Sequence, residues 1–456
     1  NITLELGPDT EPVPVTHHGE MSGDWLAWSG RGEETLSWAL GPELTFDDQV
    51  IKLQAQVSRS QGKGMVAYTN ARVLTMGEAG VLENATVVVQ HDRIRSVGFD
   101  SPPVGAKVID ATGKTLMPGL IDVHAHLHFG GDTQPQRSWR HEANLAYGVT
   151  SVHDPSAFDD TVFATAERIE AGLQKGPRVT STGGVIYGAK SKGRSRVDSL
   201  EDAQLHVARK KAVGATSIKS YQQPARRQRQ WLLSAAREQG LNVYPEGGGD
   251  LTGNMTMLLD GHTGIEHALP QAPLYADIRG LYAAVGAGYT PTLLVAYGGV
   301  GGENFFFQSE ALLQDKKFLR FTPSEWVDRN VRRRDVAVYD NDWFHKQVAQ
   351  SAAQLQSDGV PVLVGAHGQV QGLGVHWEIW ALGEFMEPID ALKAATLDGA
   401  WYIGRDRDLG SIEAGKAADM LLIDGNPLED LRLTTSINEV IQAGIRYDGE
   451  TLDVLK

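Results

Sequence analysis

Met117-Pro118-Gly119-Leu120-Ile121-Asp122-Val123-His124-Ala125-His126-Leu127-His128 decides how the rest of this chain is read. An apolar run ends in two histidines one residue apart. If Leu120 to His126 is a strand, His124 and His126 share a face, because side chains alternate with period two. Two imidazoles on one face at a strand's C-terminal end are a ready pair of metal ligands. Asp122 shares that face and could orient an imidazole. A polar strand end with solvated histidines is the bland alternative, so the remainder of the sequence must decide.

Outward from this stretch the middle of the chain alternates strands with amphipathic helices. Strands are expected at 119–126, 150–154, 178–183, 216–221, 241–246, 264–268, 289–295 and 360–367, and helices at, for example, 200–213 and 227–240. Eight βα units over about 250 residues is the size of a (β/α)8 TIM-like barrel, in which chemistry sits at the C-terminal ends of strands. No Gly-x-Gly-x-x-Gly follows the first strand, which disfavours a doubly wound sheet. The division expected is 118–404 for the barrel, and 51–117 with 405–456 for a small β-sandwich built from both chain ends. Residues 1–50, rich in turns, read as the last strands of a repeated β structure. The chain opens at Asn1 in what reads as mid-structure, as a mature or truncated piece of a longer protein would.

The chain has 456 residues, 41% hydrophobic and 22% charged, the composition of a globular protein with a large core. A net charge of −15 argues against a nucleic-acid partner. No apolar run reaches the ~18 residues of a membrane helix. Cysteine is absent, so a metal would need His, carboxylate or modified Lys ligands.

Strand ends read in order give His124 and His126, then Lys219 on the fourth, Glu246 on the fifth, His267 on the sixth and His367 on the eighth. Buried charge is costly unless paired or metal-bound, so this set is hard to explain as packing.

These residues carry a resemblance. The 118–126 motif, Ile218-Lys219, Ile265-Glu266-His267, and the C-terminal runs 394–400 and 410–419 resemble the amidohydrolase superfamily over residues ~64–456. The opening segment, with Trp38-Ala39-Leu40-Gly41-Pro42-Glu43-Leu44, resembles the end of a TolB-like β-propeller fused to such an enzyme. The first resemblance implies a metal-dependent hydrolase barrel holding one or two divalent ions, zinc foremost. His124, His126 and His267 match ligands. Lys219 matches a lysine that is carboxylated and bridges two metals in binuclear members. Two positions depart from the pattern: strand five usually supplies His and here offers Glu246, and strand eight usually supplies Asp and here offers His367. Both are therefore candidates for metal ligation and for catalytic proton transfer. Glu246 could instead bind a substrate amine, Lys219 could be a plain ammonium paired with Glu246, and His367 could act as a hydrogen-bonder behind the ligands.

The implied activity is hydrolysis of a C–N bond in an amide, cyclic imide or small peptide such as a dipeptide, by attack of a metal-activated hydroxide. Lactone or phosphoester hydrolysis on the same site, and a non-catalytic homologue, are the alternatives. Tyr221, just past Lys219, and Arg194 and Arg196, in the basic loop after strand three, are candidate contacts for a small-molecule substrate and its carboxylate. The long stretch 297–344 could form a lid, or pack against a propeller or a second subunit. The propeller resemblance implies a periplasmic or secreted location.

Overall fold

The computed structural model describes residues 57–128, 135–187, 197–221, 225–332 and 338–456, together with six short backbone strands within residues 2–52. The fold is mixed α/β. Four of the early strands, Ala27–Ser29, Thr35–Leu40, Glu43–Phe46 and Gln49–Lys52, pair antiparallel in sequence order.

One eight-stranded sheet takes strands from both ends of the described chain. Its order is Ile445–Asp448, Ile437–Gln442, Met420–Asp424, Lys114–Pro118, Met65–Leu74, Val81–Gln90 and Arg93–Gly98, with Lys107–Asp110 added parallel to Met65–Leu74. Tyr68, Val87, Leu116, Met420 and Ile441 form part of its core. The Lys114–Pro118 strand leads directly into the first strand of the middle region.

That region is a run of parallel pairings. Leu120–Asp122 pairs with Val149–Asp154, which pairs with Arg178–Ser181. Thr216 N then donates to Ser181 O at 3.0 Å. Ser217–Tyr221 pairs with Asn242–Pro245, a bridge joins Glu246 to Glu266, and Gly264–Glu266 pairs with Gly288–Thr290. Tyr289 bridges to Val362, Val123 N donates to Val364 O, and His367 N donates to His124 O at 3.0 Å. The last segment thus returns to the first. Val149–Asp154 is buried at every position, as a strand covered on both faces must be.

Helices lie between the strands with recognisable ends. Ser199 caps Leu200–Ala212 by accepting from Asp202 N, and that helix carries acids in its first turn and bases in its last. Asp250 caps Leu251–Asp260, and Gly261 at φ 94° ends it.

Several expected strands are shorter here: 178–183 ends at Ser181, 264–268 at Glu266 and 289–295 at Thr290, with a 3-10 helix over Leu293–Val295. The first strand ends at Asp122 rather than reaching His126. The eighth, expected over 360–367, makes a single bridge instead of a ladder. Two of its backbone donors go elsewhere: Ala366 N to the Asp122 carboxylate at 3.1 Å and Val364 N to Ala394 O at 3.2 Å. The 297–344 stretch contains helices Gly302–Ser309, Lys316–Phe321 and Ser324–Asn330. They are tied to the core by aromatic contacts, among them Phe306 stacked on Trp377 at 5.0 Å.

Candidate active site

Four imidazoles from three segment ends meet at one place. Ring centroids lie 4.8 Å apart for His124–His267 and His124–His367, 4.7 Å for His267–His367, and 4.4 Å for His126–His367. His124 and His126 are 5.2 Å apart. Both lie beyond the end of their strand, so alternation alone does not place them. Asp122 Oδ1 accepts from His124 N and from Ala366 N, and so ties the ends of the first and last segments together. Gly365 leaves the room: a Cβ there would sit 2.6 Å from His124 Cβ.

Hydroxyl groups orient two of the rings. His124 Nδ1 lies 3.2 Å from Thr292 Oγ1, and His126 Nδ1 lies 3.1 Å from Ser156 Oγ. His267 and His367 take positive φ, 71° and 61°. Such backbone costs roughly 1–3 kcal/mol for a non-glycine residue and gathers at functional sites.

Below the histidines lies a buried charged trio. Lys219 Nζ stands 2.6 Å from Glu246 Oε2 and also contacts Glu266 Oε2. Glu246 Oε1 is 3.2 Å from His267 Nε2, and Glu266 Oε2 is 3.7 Å from His124 Nε2. Burial by itself would lower the Lys219 pKa, but Glu266 and Glu246 outweigh it and hold the ammonium above the ordinary lysine value. Burial would raise Glu246, yet Lys219 and His267 keep it well below the usual carboxylate range. Glu266 is pushed up to about 7 by burial, against the pull of Lys219.

Burial, reinforced by the neighbouring cationic groups, takes His124 and His126 well below the ordinary histidine value and His367 down to about 3. These rings are therefore neutral at pH 7, the state in which imidazole binds metal. Buried polar atoms without a hydrogen-bond partner converge here: His124 Nε2, both His267 nitrogens, His367 Nδ1 and Glu266 Oε1. Left so, each costs about 1–3 kcal/mol, and a cation would satisfy one nitrogen of each ring. Ligand atoms of His124, His267 and His367 lie within 4.8 Å of one another, as do those of His124, Glu246 and Glu266. The donor set, imidazole and carboxylate, suits a divalent ion such as zinc.

Of the residues expected from sequence, His124, His126, Lys219, Glu246, His267 and His367 come together. Tyr221 stands at the edge, stacked on Tyr187 with centroids 5.5 Å apart. Arg194 and Arg196 lie outside the described residues.

Glu266 was not among the expected site residues. On a regular strand it and His267 would face opposite ways. The strand ends at Glu266, and the positive φ of His267 turns the next side chain back toward the same centre. Tyr297 was also missed. Its ring stacks on His267, and its hydroxyl is 3.4 Å from Glu246 Oε1. An Ile-Glu-His run at a strand end was the available signal for Glu266. Tyr297 gave none.

Known proteins resemble this chain over most of its length. The imidazolonepropionase of Shouchella clausii is 24% identical over 419 residues, covering 80% of this chain and 85% of the relative. The crystal structure of a Xaa-Pro dipeptidase with bound methionine superposes with a TM-score of 0.64 at 20% identity, covering 84% of this chain and all of the other (100%). The Aspergillus niger (A. niger) ochratoxinase structure gives 0.62 at 17%, covering 85% and 96%. These two structures share the fold. The model of the amidohydrolase family matches residues 115–447, which spans the histidine-rich centre and the C-terminal strands of the composite sheet. With that match and the centre it contains, the chain belongs to the amidohydrolase family, hydrolases acting on carbon–nitrogen bonds.

Proposed function

We propose that this protein is a metal-dependent amidohydrolase that cleaves an amide, cyclic imide or small peptide. One observation carries the reading: buried imidazoles from the ends of three parallel segments present nitrogens to a shared point beside two carboxylates and a lysine. The architecture is read as a closed (β/α)8 barrel beside a β-sandwich drawn from both chain ends. The return of hydrogen bonds from His367 to His124 supports it.

His124, His126, His267, His367 and Glu246 would hold the ion, with Glu266 behind them. A divalent ion, zinc foremost, supplies an acidified water and polarises the scissile carbonyl. The chain's own residues do the rest. Thr292 and Ser156 fix two of the rings through Nδ1. Glu246, held ionised by Lys219, is a proton acceptor at Oε1. His367, an imidazole facing the other three, would relay the proton that Glu246 takes up to the leaving nitrogen. Tyr221 and Tyr187 form a stacked wall for the substrate.

Lys219 in this reading is carboxylated when two ions are bound. A carbamate between Glu246 and Glu266 would gather three negative charges, so carboxylation and ion loading must occur together. As an ammonium, Lys219 instead neutralises the two glutamates. The antiparallel strands of 27–52 support a propeller-like neighbour, and with it a periplasmic or secreted location.

The curated relative is named for a cyclic substrate class, and a solved neighbour for Xaa-Pro dipeptides, which sets the first panel. Protein loaded with zinc is assayed against dipeptides, N-acyl amino acids and cyclic imides, with lactones and phosphoesters as comparison arms. Stoichiometric zinc and selective C–N cleavage are expected. Preferential lactone or phosphoester cleavage, or purification and reconstitution without metal, overturns the reading.

A further inference from the structure

Tyr297 follows the seventh parallel segment and opens the 297–344 stretch. It makes two contacts with the candidate metal centre at once. Its ring stacks on the His267 imidazole, with centroids 4.6 Å apart and planes 24° from parallel. Its hydroxyl donates to Glu246 Oε1 at 3.4 Å. The side chain is only partly buried, so it is not filling the core.

His267 especially needs such support. His267 Nδ1 has no hydrogen-bond partner and Nε2 has the Glu246 carboxylate at 3.2 Å, whereas His124 and His126 each have a hydroxyl at Nδ1. Tyr297 touches both features that define the ring plane, the ring face and the Glu246 oxygen. Tyr297 in turn is held by the base of the stretch it opens. Val300 bridges to Trp343, so the two ends of that stretch are joined beside it. Gly299 lies tight against Phe344, where a Cβ would come within 2.5 Å of the Phe344 Cβ.

We propose that Tyr297 is a positioning residue for the divalent ion: it fixes the His267 ring and the Glu246 carboxylate, and the joined base of the 297–344 stretch fixes Tyr297. This rests on the metal-centre reading above. The consequence is that ion affinity depends on packing at a place that touches no ligand.

The test titrates metal-free wild type, Tyr297→Phe, Tyr297→Leu and Gly299→Val with zinc against a competing chelator, with thermal midpoints of the metal-free proteins alongside. Residues supporting metal ligands typically contribute 10–100-fold in affinity. Tyr297→Leu, which loses ring and hydroxyl, should fall by roughly that factor. Tyr297→Phe keeps the stacking and should lose less than about 10-fold, with an unchanged midpoint. Gly299→Val, displacing Phe344, should weaken zinc binding severalfold. Wild-type affinity in both Tyr297 variants overturns the inference alone. A wild type that takes up no zinc removes the metal reading, and this proposal with it. Should Tyr297→Leu fail to fold, Tyr297→Phe decides: measurable weakening supports the role and equality with wild type refutes it.

Discussion

Lys219 lies within Ser217–Tyr221 and Glu246 just beyond the end of its parallel neighbour Asn242–Pro245, with Nζ and Oε2 2.6 Å apart in a buried environment. Lys219 also contacts Glu266, so one ammonium separates two carboxylates that would otherwise repel. Removing one partner of a buried ion pair typically costs 3–5 kcal/mol, because the remaining charge is stranded. Lys219→Met should therefore destabilise the metal-free protein by about that amount. Urea unfolding measures it, and a loss under ~1 kcal/mol would show the trio to be solvated.

Carboxylation of Lys219 should be visible as a dependence of ion stoichiometry on dissolved carbon dioxide. Reconstitution with zinc and bicarbonate is expected to load two ions, and reconstitution in degassed buffer fewer. Equal stoichiometry in the two preparations would leave Lys219 an ammonium in the loaded protein.

His367 replaces the acid that the superfamily pattern places on strand eight, and its ring adjoins three other imidazoles. His367→Ala should lower zinc affinity at least about tenfold and reduce turnover further. Metal analysis beside kinetics separates its two duties. Full occupancy with lost turnover assigns proton transfer alone.

Asp122 acts through backbone. It accepts from His124 N at 3.0 Å and Ala366 N at 3.1 Å. Asp122→Ala leaves two buried amides unsatisfied, at about 1–3 kcal/mol each, and should weaken zinc binding as well. Asp122→Asn keeps an acceptor oxygen and should lose less on both counts. Equal effects of the two variants would show that the hydrogen bonds are not the cause.

Glu378 predicts a pH effect away from the centre. It is fully buried, one oxygen accepts from Leu294 N at 2.8 Å, and burial pushes its pKa from the ordinary 4.5 up to about 8. Between those values the folded protein keeps a proton that the unfolded chain has released. Stability should therefore fall as pH rises from about 4.5 to 8 and then level off. Glu378→Gln removes the titration and should flatten this slope, gaining a few kcal/mol on wild type at pH 8.5 and little at pH 5. Denaturant midpoints at the two pH values check it. An unchanged difference would place Glu378 in contact with water.

Much of the centre is legible in the sequence because its signals are local. His-x-His after an apolar run, a lysine inside one strand and histidines at the ends of others can each be read from a few neighbouring residues. Strand lengths were over-read along the parallel run, in the first, third, sixth, seventh and eighth segments. Apolar patterning marks where the chain is buried and extended, not whether its amides find a ladder, and Ala366 N finds a side chain instead.

By itself the sequence determined the alternating α/β pattern, the ligand-type residues and the composite β region, since periodicity and residue chemistry are properties of short segments. Only the tertiary structure decided that Glu266 joins Lys219 across 47 residues, that His267 turns back on a positive φ to share its face, and that Tyr297 braces both His267 and Glu246. Strict alternation would send Glu266 and His267 to opposite faces. Only the backbone conformation adopted where the strand ends brings the two side chains to one centre.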